Sequence, residues 1–307
     1  MIKRGLRRLR RSLRPLWPWL RWGSVALLLA VLLLDLAFPP PLPKQRDTST
    51  LVVARDGSPL RAFADAEGVW RYPASVDQVS PLYLQALLGY EDRWFWRHPG
   101  INPVALLRAS TQMLGQGRIV SGGSTLTMQV ARILDPHTRT PWGKAKQMLR
   151  ALQLEAHLSK REILTLYLER APYGGTIEGV EAASWAYLGK PAAQLSHAEA
   201  ALLAVLPQAP SRLRPDRHPQ AAQQARDKVL ARMASLGRWS ADAVEDARVE
   251  TVVTRSLRPP LHAALLAQRL HAAQPGQPRI ESSIDIDLQR TLEGRLSSYF
   301  STLPERT

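Results

Sequence analysis

Cysteine is absent from this chain of 307 residues. That excludes a disulfide scaffold, a thiol nucleophile and any zinc site with thiolate ligands. Phenylalanine is scarce at 4 residues, and acidic residues are outnumbered, 26 against 41 basic ones, for a formal charge of +15. No acid at all precedes Asp35. There is no internal repeat, and no glycine-rich run leads into Gly-Lys-Ser/Thr, so a Walker loop is excluded too. What remains is globular in character. Apolar residues make up 45% and charged residues 22%, values that rule out wholesale disorder and allow one large domain or two modest ones.

A charge of +15 invites a nucleic-acid reading, but its distribution argues otherwise. Lys3, Arg4, Arg7, Arg8, Arg10, Arg11, Arg14 and Arg21 give +8 in the first 21 residues, leaving 33 basic against 26 acidic residues elsewhere. A 17-residue apolar run, Trp22–Phe38, follows at once and stops at Pro39-Pro-Pro-Leu-Pro43. About 17–25 residues span a bilayer, and Trp17, Trp19 and Trp22 sit where an interfacial belt belongs. We therefore expect a cytoplasmic basic segment (1–21), a transmembrane signal-anchor (22–38), a Pro-rich linker (39–50) and an exported remainder. A cleaved signal peptide is the alternative, with Leu36-Ala-Phe-Pro-Pro40 a poor cleavage site. The expected partner of the basic flank is a membrane, not nucleic acid.

Beyond the linker, Asp56-Gly57 between apolar runs predicts a hairpin over residues 51–63. From about residue 80 the pattern is helical, with marked ends. Ser80-Pro81 and Asn102-Pro103 pair a cap with Pro at the first helical position. Ser159-x-x-Glu162 and Ser196-x-x-Glu199 are capping boxes. Leu206-Pro-Gln-Ala-Pro210 stops one helix, and Pro219–Leu236 forms another closed by Gly237.

Three stretches offer chemistry. Leu84, Leu87 and Leu88 make the apolar stripe of the helix after Ser80, and Glu91 falls on the same face. With Trp94, Phe95 and Trp96 following, burial is expected to raise its carboxyl toward neutral pH, as an acid or base requires; a salt bridge to Arg93 or Arg97 is the bland alternative. His98 alone reads as a hydrogen-bonded structural histidine. Gly122-Gly-Ser-Thr125 opens a helix, so free N–H groups and two hydroxyls make an anion site or an ordinary cap. Arg132, Lys144 and Lys146 add cations nearby. Tyr167, on an apolar helix, and the helix around Arg226 read as structure.

Together these residues resemble the family 51 peptidoglycan glycosyltransferases, the membrane-proximal half of class A penicillin-binding proteins. Glu91-Asp-Arg-Trp-Phe-Trp-Arg-His-Pro-Gly100 matches Glu-Asp-x-x-Phe-x-x-His-x-Gly throughout. Gly122-Gly-Ser-Thr-Leu-Thr-Met-Gln129 matches Gly-Gly-Ser-Thr-x-Thr-x-Gln. Lys144-Ala-Lys-Gln147 lies where the family has Arg-Lys-x-Lys-Glu, and Ile163–Leu168 and Arg226–Met233 match the remaining two motifs. Trp185–Lys190 and Leu206–Pro215 look most like the 1C subgroup.

The resemblance implies a mainly α, lysozyme-like glycosyltransferase domain over residues 51–240, with a helical linker over 241–278. Residues 101–121, with Val104, Leu106, Leu107 and Met113, would form a small membrane-dipping subdomain. It implies polymerisation of lipid II into glycan strands with inversion and release of undecaprenyl pyrophosphate. Glu91 would be the general base. Asp92, Phe95, His98, Ser124, Thr125, Gln129, Arg132, Lys144, Lys146 and Gln147 would bind substrate, the cations and donors among them answering pyrophosphate charge. No metal ligand is assigned, though Mg2+ or Mn2+ serves some relatives. Implied partners are lipid II, the growing glycan strand, the inner membrane and other cell-wall synthesis proteins, and the implied placement is single-pass with a periplasmic catalytic domain.

Two departures stand out. Gln147 replaces the family's second glutamate, which shifts that position toward substrate positioning, and Glu155 lies about 12 Å further along the helix. Glu169 stands where Asn is common. Residues 279–307 resemble the opening of a transpeptidase module, without Ser-x-x-Lys or Lys-Thr-Gly anywhere in the sequence; the reading is of a truncated module without transpeptidase activity. An inactive membrane-bound scaffold and a lysozyme-like glycan hydrolase are the competing functions.

Overall fold

The computed structural model describes residues 35–43, 49–116, 123–138, 140–251 and 260–302, with single positions at 22, 26, 29 and 33. The basic segment, most of the expected anchor and residues 117–122 lie outside the described residues. Among those described, no helix is long and apolar enough to cross a membrane. The stretch to Leu42 and the stretch from Pro43 are separate compact units, and the second carries the architecture below.

Its helices are α1 (Pro81–Glu91), α2 (Pro103–Gln116), α3 (Leu126–Leu134), α4 (Pro141–His157), α5 (Lys160–Arg170), α6 (Val180–Leu188), α7 (His197–Val205), α8 (Pro219–Ser235), α9 (Ala241–Val249), α10 (Ala264–Ala273) and α11 (Ile286–Ser301). They begin where capping chemistry puts them. Ser80 Oγ accepts from the Leu82 N–H at 3.3 Å, and Pro81 takes the first turn, where a missing N–H costs nothing. Asn102 Oδ1 accepts from the Ala105 N–H at 3.0 Å ahead of α2. Both capping boxes form, at Ser159/Glu162 and Ser196/Glu199. α8 stops before Gly237, whose φ of +62° ends it.

At the centre is α7, buried from Ala198 through Val205 except at Glu199. Its small residues let α1, α8, α6 and α9 close in on it. Around it Tyr83, Leu87, Phe95, Leu126, Met128, Leu154, Ile163, Tyr167 and Tyr173 form one continuous core. Burying each such side chain contributes about 1.5–3 kcal/mol.

The predicted hairpin is present as β1 (Thr50–Val53) and β2 (Pro59–Phe63), turning at Gly57 with φ +87°. Two features go beyond the sequence reading. β6 (Arg279–Glu281) returns to lie parallel beside β1, Val52 opposite Ile280. The strands β3 (Trp70–Arg71), β5 (Ile177–Glu178) and β4 (Pro172–Gly174) make a second small sheet, of which β4 and β5 fall within the stretch read as helical. Val52, Ala54, Leu60, Ala267, Ile280 and Ile286 pack as a separate small core under the first sheet.

Candidate active site

Glu91 is the last residue of α1 and is half-buried. Leu87 of its stripe is fully buried, and Leu84 and Leu88 pack against the core, so the helix delivers the carboxylate inward as its spacing predicts. The expected aromatic cover is different. Trp94 and Trp96 face solvent, with Arg93 and Arg97 stacked on Trp94, and neither arginine pairs with Glu91. Instead Gln129 Nε2 donates to Glu91 Oε2 at 2.7 Å and Gln208 Nε2 donates to Oε1 at 2.5 Å. Burial pushes the Glu91 carboxyl above its ordinary range, with the Asp92 charge adding to the rise and the two amides opposing it.

Behind this carboxylate lies a wall of tyrosines. Tyr83 and Tyr173 share a hydrogen bond of 2.7 Å between hydroxyls, and Tyr187 donates to the Tyr173 carbonyl at 2.8 Å. Tyr167 is core, as its helix suggested, and its buried hydroxyl has no hydrogen-bond partner among the described residues. Burial raises all of these phenols, so they stay neutral.

Several residues expected to touch substrate are instead buried, and build the frame of the site. Asp92 is buried, accepting from His98 Nε2 at 2.9 Å and from the Leu126 N–H at 2.9 Å. It thereby ties the turn after α1 to the N-terminus of α3, where an anion is favoured. His98 serves that link, which is the structural role its sequence position suggested. Phe95 is fully buried, with the Lys160 ammonium 4.5 Å from its ring centroid. Thr125 caps α3, accepting from the Met128 N–H, and donates to the Gly100 carbonyl at 2.5 Å.

The cations divide. Lys144 Nζ donates to Ser124 Oγ at 2.5 Å and to Gln147 Oε1 at 3.1 Å. Burial, and after it the charge of Arg132, holds its ammonium below the usual lysine range. Lys146, in contrast, is committed to Asp135 at 2.8 Å, together with Arg150. Gln147 is buried and donates to the Met128 carbonyl at 2.5 Å, so it braces Lys144 and α3. Glu155 accepts from Thr127 and Lys160, both at 2.6 Å. Glu169, the other departure from the motif, is partly buried, and burial raises its carboxyl while the Ala74 backbone opposes the rise.

No three of the described His, Asp and Glu residues gather as a metal site. Each oxygen of Glu91 and Asp92 already accepts an N–H. Among the described residues the carboxylates of this site do not fit a divalent cation.

Sequence reasoning missed Gln208. Its signal was present in the Pro-Gln-Ala-Pro run, but nothing local links that run to Glu91.

A half-buried carboxylate gripped by two amides, close to the N-terminus of α3 where Lys144 bonds Ser124, is an arrangement suited to acid–base chemistry. The chain belongs to the transglycosylase family, whose model matches residues 56–234. It is 53% identical to penicillin-binding protein 1C of Escherichia coli (strain K12) over 294 residues, 96% of this chain and 38% of the relative. It is 35% identical to penicillin-binding protein 1A of Pseudomonas aeruginosa over 282 residues, 87% of this chain and 33% of the relative. The chain thus spans between a third and two fifths of the length of these curated relatives. The crystal structure of penicillin-binding protein 1A from Haemophilus influenzae aligns over 78% of this chain and 27% of that one, at TM-score 0.40 and 19% identity, too slight a likeness to build on.

Proposed function

We propose that the chain is a peptidoglycan glycosyltransferase that polymerises lipid II into glycan strands with inversion, releasing undecaprenyl pyrophosphate. One observation carries the reading: both oxygens of Glu91 accept N–H donors. That is the pattern of an ionised carboxylate, whereas a hydrolase acid would need an acceptor for its own proton. As base, Glu91 takes the proton of the incoming 4-hydroxyl while that oxygen attacks the anomeric carbon. Charge then builds on the departing pyrophosphate. Lys144 and the Ser124 hydroxyl, at the start of α3, and Arg132 in its last turn would answer it.

Membrane placement is part of the same proposal. The segment 22–38 anchors the chain with its basic flank in the cytoplasm, and α2 dips into the lipid. Val104 and Leu107, at 76% and 67% exposure, support that role for α2. The growing glycan strand and other cell-wall synthesis proteins are the partners this implies.

Glu91→Gln is the deciding variant. Polymer formation from lipid II by the detergent-purified chain should fall at least 100-fold, with the thermal midpoint little changed. Substantial residual polymerisation would reject the base assignment. Release of fragments from purified sacculi would favour hydrolysis, and an inert wild type would favour a scaffold.

A further inference from the structure

Gln208 closes a short 3-10 turn, Leu206–Gln208, that follows α7 directly. The turn is held from several sides. Leu206 is fully buried. Just beyond, the chain passes so close to β4 that a Cβ on Gly174 would stand 3.0 Å from the Pro210 carbonyl oxygen and 2.8 Å from Arg214 Cγ. Gly174 also has φ +106°, which other residues rarely adopt. Next to it, Tyr173 is bonded through its hydroxyl to Tyr83, on the same helix as Glu91. One frame therefore fixes both the base and the turn opposite it. Out of that frame the solvent-exposed Gln208 side chain reaches a carboxylate 117 positions away in sequence.

We propose that Gln208 is a positioning residue for the base: its amide holds Oε1 while Gln129 holds Oε2, so that two separate elements fix the plane of the Glu91 carboxylate. This rests on the reading of Glu91 as the base. The groups that bear on Glu91 are Asp92 beside it, Tyr83 and Tyr90 from α1, and Tyr167 from α5. Among the described residues none of its partners is a cation. Two neutral amides are thus the counterweight to burial, and removing either one makes the ionised carboxylate harder to keep.

The test uses Gln208→Leu and the isosteric Gln208→Glu in the full detergent-purified chain. Because Gln208 is exposed, neither should shift the thermal midpoint much. Each is expected to lose about tenfold in kcat at neutral pH and to move the acid limb of the kcat profile to higher pH. Titration of 13C-labelled Glu91 by its carboxyl shift should move in the same direction, without lipid II present. A uniform loss of kcat with an unmoved limb and an unmoved titration would overturn the proposal and leave Gln208 a scaffold of its turn. Failure of the base reading is seen separately, as turnover that survives Glu91→Gln, and the 13C titration still judges Gln208 in that event.

Discussion

At Glu91 two glutamines meet one carboxylate, and at Gln147 a third bridges a helix carbonyl and a lysine. Neutral amides suit these places because each offers a donor without adding charge to a half-dry site. For Glu91 the sign of the pH effect follows directly. Burial raises its carboxyl, and a base works only when ionised, so turnover should rise with pH through a limb above the ordinary glutamate range. At Gln147 the family's second carboxylate would meet a different neighbourhood, because its amide donates to the Met128 carbonyl. Gln147→Glu would set carboxylate oxygens against the Met128 carbonyl, where an N–H now donates. A loss of about 1–2 kcal/mol is expected by urea denaturation, despite the nearby Lys144. Unchanged stability would show that the buried amide contributes little.

Between elements, the contacts that matter are close approaches of backbone. Gly100 ends the Glu91–Gly100 motif with φ +80°, and a Cβ there would lie 2.8 Å from the Ala151 carbonyl oxygen of α4. The Gly100 carbonyl also takes the Thr125 hydroxyl, so the turn after α1, the cap of α3 and the middle of α4 meet at one point. Gly100→Ala should therefore cost about 2 kcal/mol or more, well above Gly237→Ala, where φ is +62° but nothing stands within 4 Å. Urea midpoints of the two variants compare them directly, and equal losses would remove the steric argument. The fifth motif has a similar explanation. Arg226 is buried, and its guanidinium donates to the carbonyls of Arg248 and Glu250 at the end of α9.

Over the whole molecule, charge is partitioned. Eight of the basic residues precede the apolar run and none of the acids does, which is the asymmetry that orients a membrane span. Under the proposed topology, trypsin added to intact spheroplasts should cut the chain beyond residue 45; protection of that part would reverse the orientation. Among the described residues the larger unit holds two apolar cores, one around α7 and a smaller one under β1, β2 and β6. Val52, Ala54 and Leu60 meet residues more than 200 positions later, so the start and the far end of this unit stabilise each other.

The sequence by itself determined what local chemistry controls. Helix starts, both capping boxes, the stop at Pro207, the hairpin at Gly57 and the inward face of Glu91 were all legible, because a cap or a helical face depends on residues three or four positions away. The family resemblance, carried by local motifs, is what assigned Glu91, Ser124, Gln129 and Lys144 to one site. Only the tertiary structure decided which neighbours those groups have. It brought Gln208 onto Glu91, sent Lys146 to Asp135 and buried Phe95, Asp92 and Gln147 within the frame. It also set β6 against β1. Such pairings are chosen by packing between elements, and no pattern along the chain records which faces will meet.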